Sequence, residues 1–395
     1  MGWQESSVMD ERMRFISDCL AEEEPMNRLC HRYGISRKTG YKWLSRYRDE
    51  GAGGLLDRAR APLVHGRATA PVIVDHLLAE KERHPSWGPK KVVASLRRKN
   101  GEVAWPSPST AAEILKRHGL VQPRGRARWR GFGTGPFQPV QQANSVWSVD
   151  HKGWFRLGDG QRCEPLTVMD SKSRYFLKLE VCGSTGELEA WPVFERAFED
   201  YGLPERIRSD NGPPFASVGV CALTPLSVRF LKLGIGLERI DPGHPQQNGI
   251  HERIHLTLLP LAQAPAADRL AQQKAFDAFR QSYNEERPHE ALDMDTPSQH
   301  YRPSERRMPK LLPEPEYPPE AALRRVRPNG AVKWEGREIY VSATLVGEDV
   351  AIEESESGEW TMRFFAHPIG IIDTRHDRLL RPRARPRAQE KPGRL

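Results

Sequence analysis

Long apolar runs are missing from this sequence. No stretch of its 395 residues approaches the roughly 20 apolar residues of a membrane span, so no membrane partner is expected. Met1 to Phe15 lack a basic start followed by an apolar segment, which argues against a signal peptide. Cysteine is scarce. Cys19, Cys30, Cys163, Cys182 and Cys221 are odd in number, far apart and never spaced C-x-x-C. That excludes a disulfide framework and a cysteine zinc site, and the thiols read as buried groups in a reducing compartment. No G-x-x-x-x-G-K-[ST] occurs, and no G-x-G-x-x-G follows a strand, so nucleotide-binding readings fail. A zinc-hydrolase reading is set aside with them. Acid is in deficit: 60 Lys and Arg face 52 Asp and Glu, and the net charge of +8 hints at a nucleic-acid partner. With 38% hydrophobic residues the chain is polar for an enzyme but rich enough to build cores. Its length suits about two to four domains.

Residues 9–60 read as a helix-turn-helix module. Ser36 is an N-cap for a helix over Arg37 to Asp49, and Gly51 stops it. A shorter helix over Pro25 to Tyr33 closes at Gly34. Trp43, Leu44 and Tyr47 can point inward. Arg37, Lys38, Tyr41, Lys42 and Arg48 point the other way, and the first four are candidate DNA contacts. Residues 68–120 repeat the theme. Helices are expected over Pro71 to Arg83 and Pro89 to Asn100. A third is capped by Ser107, with Pro108 at its first position and Gly119 after its end. Two modules in tandem would read a longer DNA site than one. Residues 121–139 form a basic linker. Arg124, Arg126, Arg128 and Arg130 have no acid among them and suit a phosphate backbone.

Residues 140–301 change to strands, then to alternating helices and strands. Strands are expected at Ser145 to Asp150, Cys163 to Met169, Tyr175 to Val181, Glu205 to Ser209 and Gly236 to Ile240. A helix covers Trp191 to Tyr201, where Pro192 is acceptable only in the first turn. Another covers Pro225 to Leu233. Three antiparallel strands followed by βαβ units imply a mixed sheet with helices on its faces. Residues 302–322 are a proline-rich linker, and 323–374 a small all-β, barrel-like domain. Residues 375–395 carry a net +6 and read as a basic disordered tail. The fold class is multidomain α/β: all-α modules, a mixed-sheet core, then the small β domain.

Three acids stand out by position. Asp150 ends the first strand in Trp147-Ser148-Val149-Asp150. Asp210 ends a later one in Arg208-Ser209-Asp210-Asn211-Gly212. Glu252 opens a helix after His244-Pro245-Gln246-Gln247-Asn248-Gly249. Neighbouring strands of an α/β sheet can set their carboxyl-end residues side by side, and a helix over that edge adds a third. Hard oxygen ligands of this sort suit Mg²⁺ or Mn²⁺. Two such ions stabilise both the attacking and the leaving oxygen of an in-line phosphoryl displacement. Each acid alone is a weak signal. Asp159 and Asp241 read as turn residues or caps, and Asp170 closes the turn after the second strand.

These words, in this order, resemble the catalytic core of retroviral-type integrases. The closer resemblance is to bacterial insertion-sequence transposases with a DDE triad. Tyr283-Asn284-Glu285-Glu286-Arg287-Pro288-His289-Glu290-Ala291-Leu292 and Thr296-Pro297 fit that branch, as do the upstream modules. The resemblance covers about Met9 to Tyr301, and the C-terminal β domain is similar in placement. It implies an RNase H-like core in which Asp150, Asp210 and Glu252 are catalytic and hold two Mg²⁺ or Mn²⁺ ions. The implied activity is that of a DDE-type polynucleotidyl transferase. Such an enzyme cuts at the ends of a mobile element and joins the freed 3′-hydroxyl to target DNA, with no covalent enzyme intermediate. The implied partners are terminal inverted repeats, target DNA and further copies of the chain, as a homodimer or higher oligomer on DNA. The implied setting is the bacterial cytoplasm, at the nucleoid. Asn248 and Arg253 become candidate DNA contacts. Asn211, His244, His251, Arg287 and His289 are second-tier candidates for phosphate, water or structural roles.

Two departures from the family pattern follow. Asp210 and Glu252 are 42 positions apart, longer than usual, and the extra length falls around Ser217 to Leu226 as an expected surface insertion. Two turns after Glu252, where a Lys or Arg is usual, stands Leu259. Pro260 follows it and is expected to stop the helix. Leu256 to Ala267 holds no basic residue. One alternative is a catalytically decayed DNA-binding protein acting as a repressor. Another is an RNase H-like nuclease of RNA–DNA hybrids, against which the two DNA-reading modules argue.

Overall fold

The computed structural model describes residues 7–58, 68–121, 137, 140–241, 244–355 and 358–381, and leaves the side chains at 245, 246, 250 and 252 undescribed. Residues up to Thr69 make one compact unit and those from Ala70 onward another. The first unit holds α1 (Val8–Ala21), α2 (Met26–Arg32) and α3 (Arg37–Glu50). Ser7 starts α1 in a capping box with Asp10, and the Ser36 hydroxyl accepts the Thr39 N–H at 3.2 Å to start α3. Phe15, Ile16, Leu29, Cys30, Trp43, Leu44 and Leu55 form its core. The approach of α3 to α2 depends on Gly40. A Cβ there would lie 2.6 Å from Cys30 Sγ and 3.0 Å from Phe15 Cζ.

The second unit opens with α4 (Pro71–Arg83), α5 (Pro89–Lys99) and α6 (Pro108–Arg117), each with proline at its start, where no intrahelical N–H is needed. Leu77, Trp87, Val92, Val93, Leu96, Trp105, Ala111 and Ile114 pack between them. This helical trio docks on the following domain. Arg98 donates to the Glu286 carbonyl at 2.7 Å, and Lys90 pairs with Glu290 at 3.3 Å.

The central sheet contains β1 (Val146–His151), β2 (Phe155–Arg156), β3 (Arg162–Asp170), β4 (Phe176–Cys182), β5 (Arg206–Ser209) and β6 (Gly236–Arg239). β4, β3 and β1 are antiparallel neighbours, whereas β1, β5 and β6 run parallel. Asp170 closes the β3–β4 turn by accepting from the Ser173 N–H and hydroxyl at 2.7 and 2.6 Å. Helices α7 (Glu187–Tyr201), α8 (Pro225–Lys232), α9 (Gly249–Gln263), α10 (Arg269–Glu285) and α11 (Pro297–His300) complete the domain. One sheet face packs Trp147, Val149, Leu166 and Val168 on Phe194 and Phe198 of α7 and Phe230 of α8. The other packs Cys163, Met169, Phe176 and Leu179 on Ile254 and Leu258 of α9 and on Phe276 and Tyr283 of α10.

Two prolines behave differently from expectation. α7 begins at Glu187, so Pro192 lies past its first turn, and α9 runs through Pro260 to Gln263. Each proline deletes a bond to the carbonyl four residues earlier, at Leu188 and Leu256. Those residues are 94% and 72% exposed, so water can reach both carbonyls. The buried face of each helix is left intact.

The C-terminal sheet comprises β7 (Ala322–Arg325), β8 (Ala331–Trp334), β9 (Arg337–Tyr340), β10 (Asp349–Glu354), β11 (Trp360–Phe364), β12 (His367–Asp373) and β13 (Arg378–Leu380), in the order β7-β10-β11-β12-β13-β9-β8. The tail expected to be disordered from 375 instead supplies β13. Buried Leu379 anchors it, and Ile371 to Asp373 pair with it. Residues 382–395 lie outside the described set. The expected surface insertion holds for Ser217 to Val220, which are exposed, and is corrected beyond them. Cys221 and Leu223, with Val228 and Leu231 of α8, enter the apolar core of this β domain beside Val341, Leu345 and Ile339. The Cys221 thiol donates to the Val341 carbonyl at 3.2 Å. The linker before β7 is laid along the protein. Arg306 donates to the carbonyls of Pro204, Leu233 and Gly234 at 2.6, 3.1 and 3.0 Å.

Candidate active site

The register of the sheet decides where the acids stand. Ser148 pairs with Arg208 across parallel β1 and β5. Asp150 and Asp210 each lie two residues further on, at the same carboxyl end of adjacent strands. On its other side β1 is held by β3, with Asp150 opposite Thr167. The Asp210 carboxylate accepts the Gly212 N–H at 3.1 Å, which shapes its turn. Asn211 is exposed and donates to the Ile240 carbonyl at 2.6 Å, fastening that turn to the end of β6.

Helix α9 packs across this edge, with Glu252 in its first turn. The Glu252 side chain lies outside the described residues. The residue before it is placed closely. His251 is fully buried, and its Nδ1 lies 3.0 Å from the Thr167 hydroxyl. That hydroxyl has one proton, donated to the Asp150 carbonyl at 2.8 Å. Its oxygen is therefore an acceptor, and His251 carries its proton on Nδ1. The His251 Nε2 lone pair is buried with no hydrogen-bond partner. One turn later His255 brings its Nε2 to 3.8 Å from Asp150 Oδ2, and this nitrogen too is buried without a hydrogen bond. Asp150, His251 and His255 each offer a ligand atom within 4.8 Å of the others.

Electrostatics fit this geometry. Burial, and then the Asp210 charge, push the Asp150 carboxyl up to about 7. Burial, and then His255, hold His251 down at about 3, with the Ser148 backbone opposing. Burial, and then the Lys152 charge, hold His255 down at about 4. Both rings are neutral at neutral pH. Among the described residues neither Asp150 nor Asp210 has a Lys or Arg ion-pair partner. Like charges crowded together without a cation are what a dication relieves, so the two described carboxylates fit Mg²⁺ or Mn²⁺.

His255 was missed in the sequence, although its spacing of four from His251 is legible there. Residues 251–255 spell His-Glu-Arg-Ile-His, the H-E-x-x-H word, so setting zinc aside on sequence grounds does not hold.

The remaining candidates scatter. Asn248 is buried ahead of α9, with its Oδ1 unpartnered, while Arg253 and His244 are exposed. Arg287 and His289 sit with Arg174 and Lys91 where α5 meets the core. Burial, and then Arg287, lower Lys91 to about 8, and burial holds His289 near 3. Among the described residues Lys91, Arg174 and Arg287 form no ion pair, and the Arg287 guanidinium stacks 5.6 Å from the Tyr283 ring centre. In the first unit Arg37, Lys38, Tyr41 and Lys42 are exposed on one face of α3, and Lys42 lies 4.2 Å over the Trp43 ring. Arg124, Arg126, Arg128 and Arg130 lie outside the described residues.

The Integrase core domain family matches residues 233–297, the span holding α9 and the Tyr283 to Leu292 words. Residues 233–297 are thus similar to an integrase core. Ahead of that span a Helix-turn-helix domain matches residues 11–62 and a Homeodomain-like domain residues 39–115. The uncharacterised 31.7 kDa protein of insertion element IS407 from Burkholderia multivorans is 30% identical over 168 residues, 40% of this chain and 54% of that protein. The uncharacterised 39.2 kDa protein of insertion element IS476 from Xanthomonas euvesicatoria is 27% identical, over 40% and 44%. The chain thus spans about half the length of the curated relatives it matches. Among solved structures, the HTLV-2 integrase catalytic core domain in complex with magnesium is 18% identical, covering 40% of this chain and 98% of that one, at a TM-score of 0.30. A chain of the simian T-cell lymphotropic virus intasome in complex with PP2A regulatory subunit B56 gamma is 17% identical, covering 71% of this chain and 99% of that one, at a TM-score of 0.36. No helix among the described residues is long and apolar enough to cross a membrane.

Proposed function

We propose that this chain is a DDE transposase with an RNase H-like integrase core. It binds the ends of a mobile element and catalyses metal-dependent cleavage and strand transfer. The observation that carries the reading is the pair Asp150 and Asp210 at the carboxyl ends of adjacent parallel strands, beneath the helix that bears Glu252. Asp150, Asp210 and Glu252 are the proposed ligands of two Mg²⁺ or Mn²⁺ ions. Bound there, such ions supply charge neutralisation on the attacking and leaving oxygens and a lowered pKa for the nucleophile.

The chain's own residues do the rest. Strands β1 and β5 fix the two aspartates rigidly, so the carboxylates need no reorganisation when DNA arrives. The Thr167 hydroxyl ties α9 to β1 through His251 and keeps Glu252 over the sheet edge. Arg37, Lys38, Tyr41 and Lys42 on α3, the arginines of the 121–139 linker, Asn248 and Arg253 are proposed to hold DNA by its phosphates and bases. Concerted cutting of two element ends needs two active sites, so the working form is proposed to be a dimer or higher oligomer on DNA.

The test is a strand-transfer assay on DNA carrying the element's ends, with Mg²⁺ or Mn²⁺. Wild type is expected to give joined products, and Asp150→Ala, Asp210→Asn and Glu252→Gln none. End binding without cutting by wild type would instead leave a DNA-binding protein without catalysis.

A further inference from the structure

We propose that Asp150, His251 and His255 form a binding site for a borderline transition-metal dication, Zn²⁺ foremost, distinct in its donors from the all-carboxylate site. Two imidazoles one turn apart on α9 face the sheet, and the third ligand comes from β1. Their ligand atoms lie within 4.8 Å of one another. Metal–ligand bonds of about 2.0–2.2 Å need only small side-chain rotations to close that triangle. His251 contributes the independent sign of a ligand. It is completely buried, its Nδ1 proton is committed to Thr167, and its Nε2 lone pair meets no hydrogen-bond donor. A buried imidazole whose far nitrogen is oriented by a hydrogen bond is the usual state of a metal-bound histidine. Here one hydroxyl, Thr167, orients both a ligand ring and the backbone of the ligand Asp150. The support is rigid, because Ile254 and Leu258 anchor the same helix into the sheet. Imidazole donors select Zn²⁺, and with it the probe Co²⁺, over Mg²⁺. Three protein ligands leave a position open. Metal binding here is independent of the transposase reading, but one consequence rests on it. Because Asp150 serves both sites, Zn²⁺ would compete with Mg²⁺ for that carboxylate and suppress strand transfer.

The test uses the full chain stripped of metal by a chelator and titrated with Co²⁺ under visible absorption. The expected result is a band set that saturates at one Co²⁺ per chain, is erased by Zn²⁺ and survives a large excess of Mg²⁺. His255→Gln should weaken Co²⁺ and Zn²⁺ by at least about tenfold, and Thr167→Val by about 10–100-fold. His251→Gln perturbs a fully buried position, so the half-buried His255 carries the test, with metal-free melting curves confirming that its variant is folded. No saturable spectrum in wild type, or a spectrum unchanged in His255→Gln, would overturn the proposal. Asp210→Asn separates the two readings. It should keep the Co²⁺ spectrum while abolishing strand transfer. Strand transfer that survives Asp210→Asn would sink the carboxylate mechanism and leave this metal site standing.

Discussion

Asn144 stands just before β1 with its backbone at φ 65°, a left-handed conformation that asparagine tolerates better than most residues. Its N–H donates to Asp170 at 2.7 Å, its Oδ1 accepts from Trp147 Nε1 at 3.0 Å and Tyr301 OH at 2.9 Å, and its Nδ2 donates to the Arg302 carbonyl at 2.8 Å. One side chain thus joins the beginning of the central mixed-sheet domain to its end. Asn144→Ala leaves two buried donors without an acceptor and is expected to cost about 2–4 kcal/mol in denaturant unfolding. A loss below about 1 kcal/mol would mean that water replaces the amide. Nothing in the sequence marked this residue, because a lone loop asparagine has no periodicity. Asp150 was legible by its place at a strand end, but its environment was not. Its folded pKa of about 7 lies above the unfolded value of about 3.9. Between those values the unfolded chain binds fewer protons, so this group's contribution is intact below pH 4, is lost as pH rises to 7, and changes no further above that. Asp150→Asn should therefore raise the melting temperature relative to wild type at pH 8 and leave it nearly unchanged at pH 4. Added Mg²⁺ should narrow the difference at pH 8 by stabilising wild type. A difference independent of pH would refute the buried-carboxyl account.

Helices were the most legible elements, because caps and prolines announce them. Ser36, Ser107, Pro71, Pro89 and Pro108 all mark helix starts that the structure has. Interior prolines were misread for one reason. Sequence shows the lost N–H but not whether the orphaned carbonyl faces water, as it can at Leu188 and Leu256. Strand β2 was missed because two residues carry no alternation, and β13 because its two leucines sit amid arginines. On α9, Leu259 is 39% exposed. Leu259→Lys should change stability by less than about 0.5 kcal/mol while tightening binding to element ends and steepening its salt dependence by about one charge. In the first unit Gly40→Ala drives a methyl into the Cys30 sulfur. Overpacking of this kind costs about 1–3 kcal/mol, partly offset by better helix propensity. Adding Cys30→Ala should recover most of the loss. Failure of the double variant to recover would place the strain elsewhere.

At the scale of the whole molecule, composition indicated several cores and a nucleic-acid partner, and the order of words along the chain indicated which parts are helical, mixed and all-β. What it could not convey is how the parts share their interiors. The 42-position interval between Asp210 and Glu252 looked like added surface. Its Cys221 and Leu223 instead complete the apolar core of a domain that begins about a hundred residues later. Backbone continuity through 302–322 is then the lesser tie between the two domains. A protease nick in the exposed stretch around Leu311 should leave both pieces co-eluting on a sizing column in non-denaturing buffer. Fragments expressed separately with that junction should find each other in trans, and Leu223→Asp should abolish the reassembly. Fragments that drift apart would mean that the chain itself supplies the adhesion. Evolutionarily, the interior of the β domain depends on residues encoded far upstream of it. Such a module is poorly suited to shuffling, since a gene that acquired residues 323–381 alone would inherit a sheet with part of its apolar interior left in the donor.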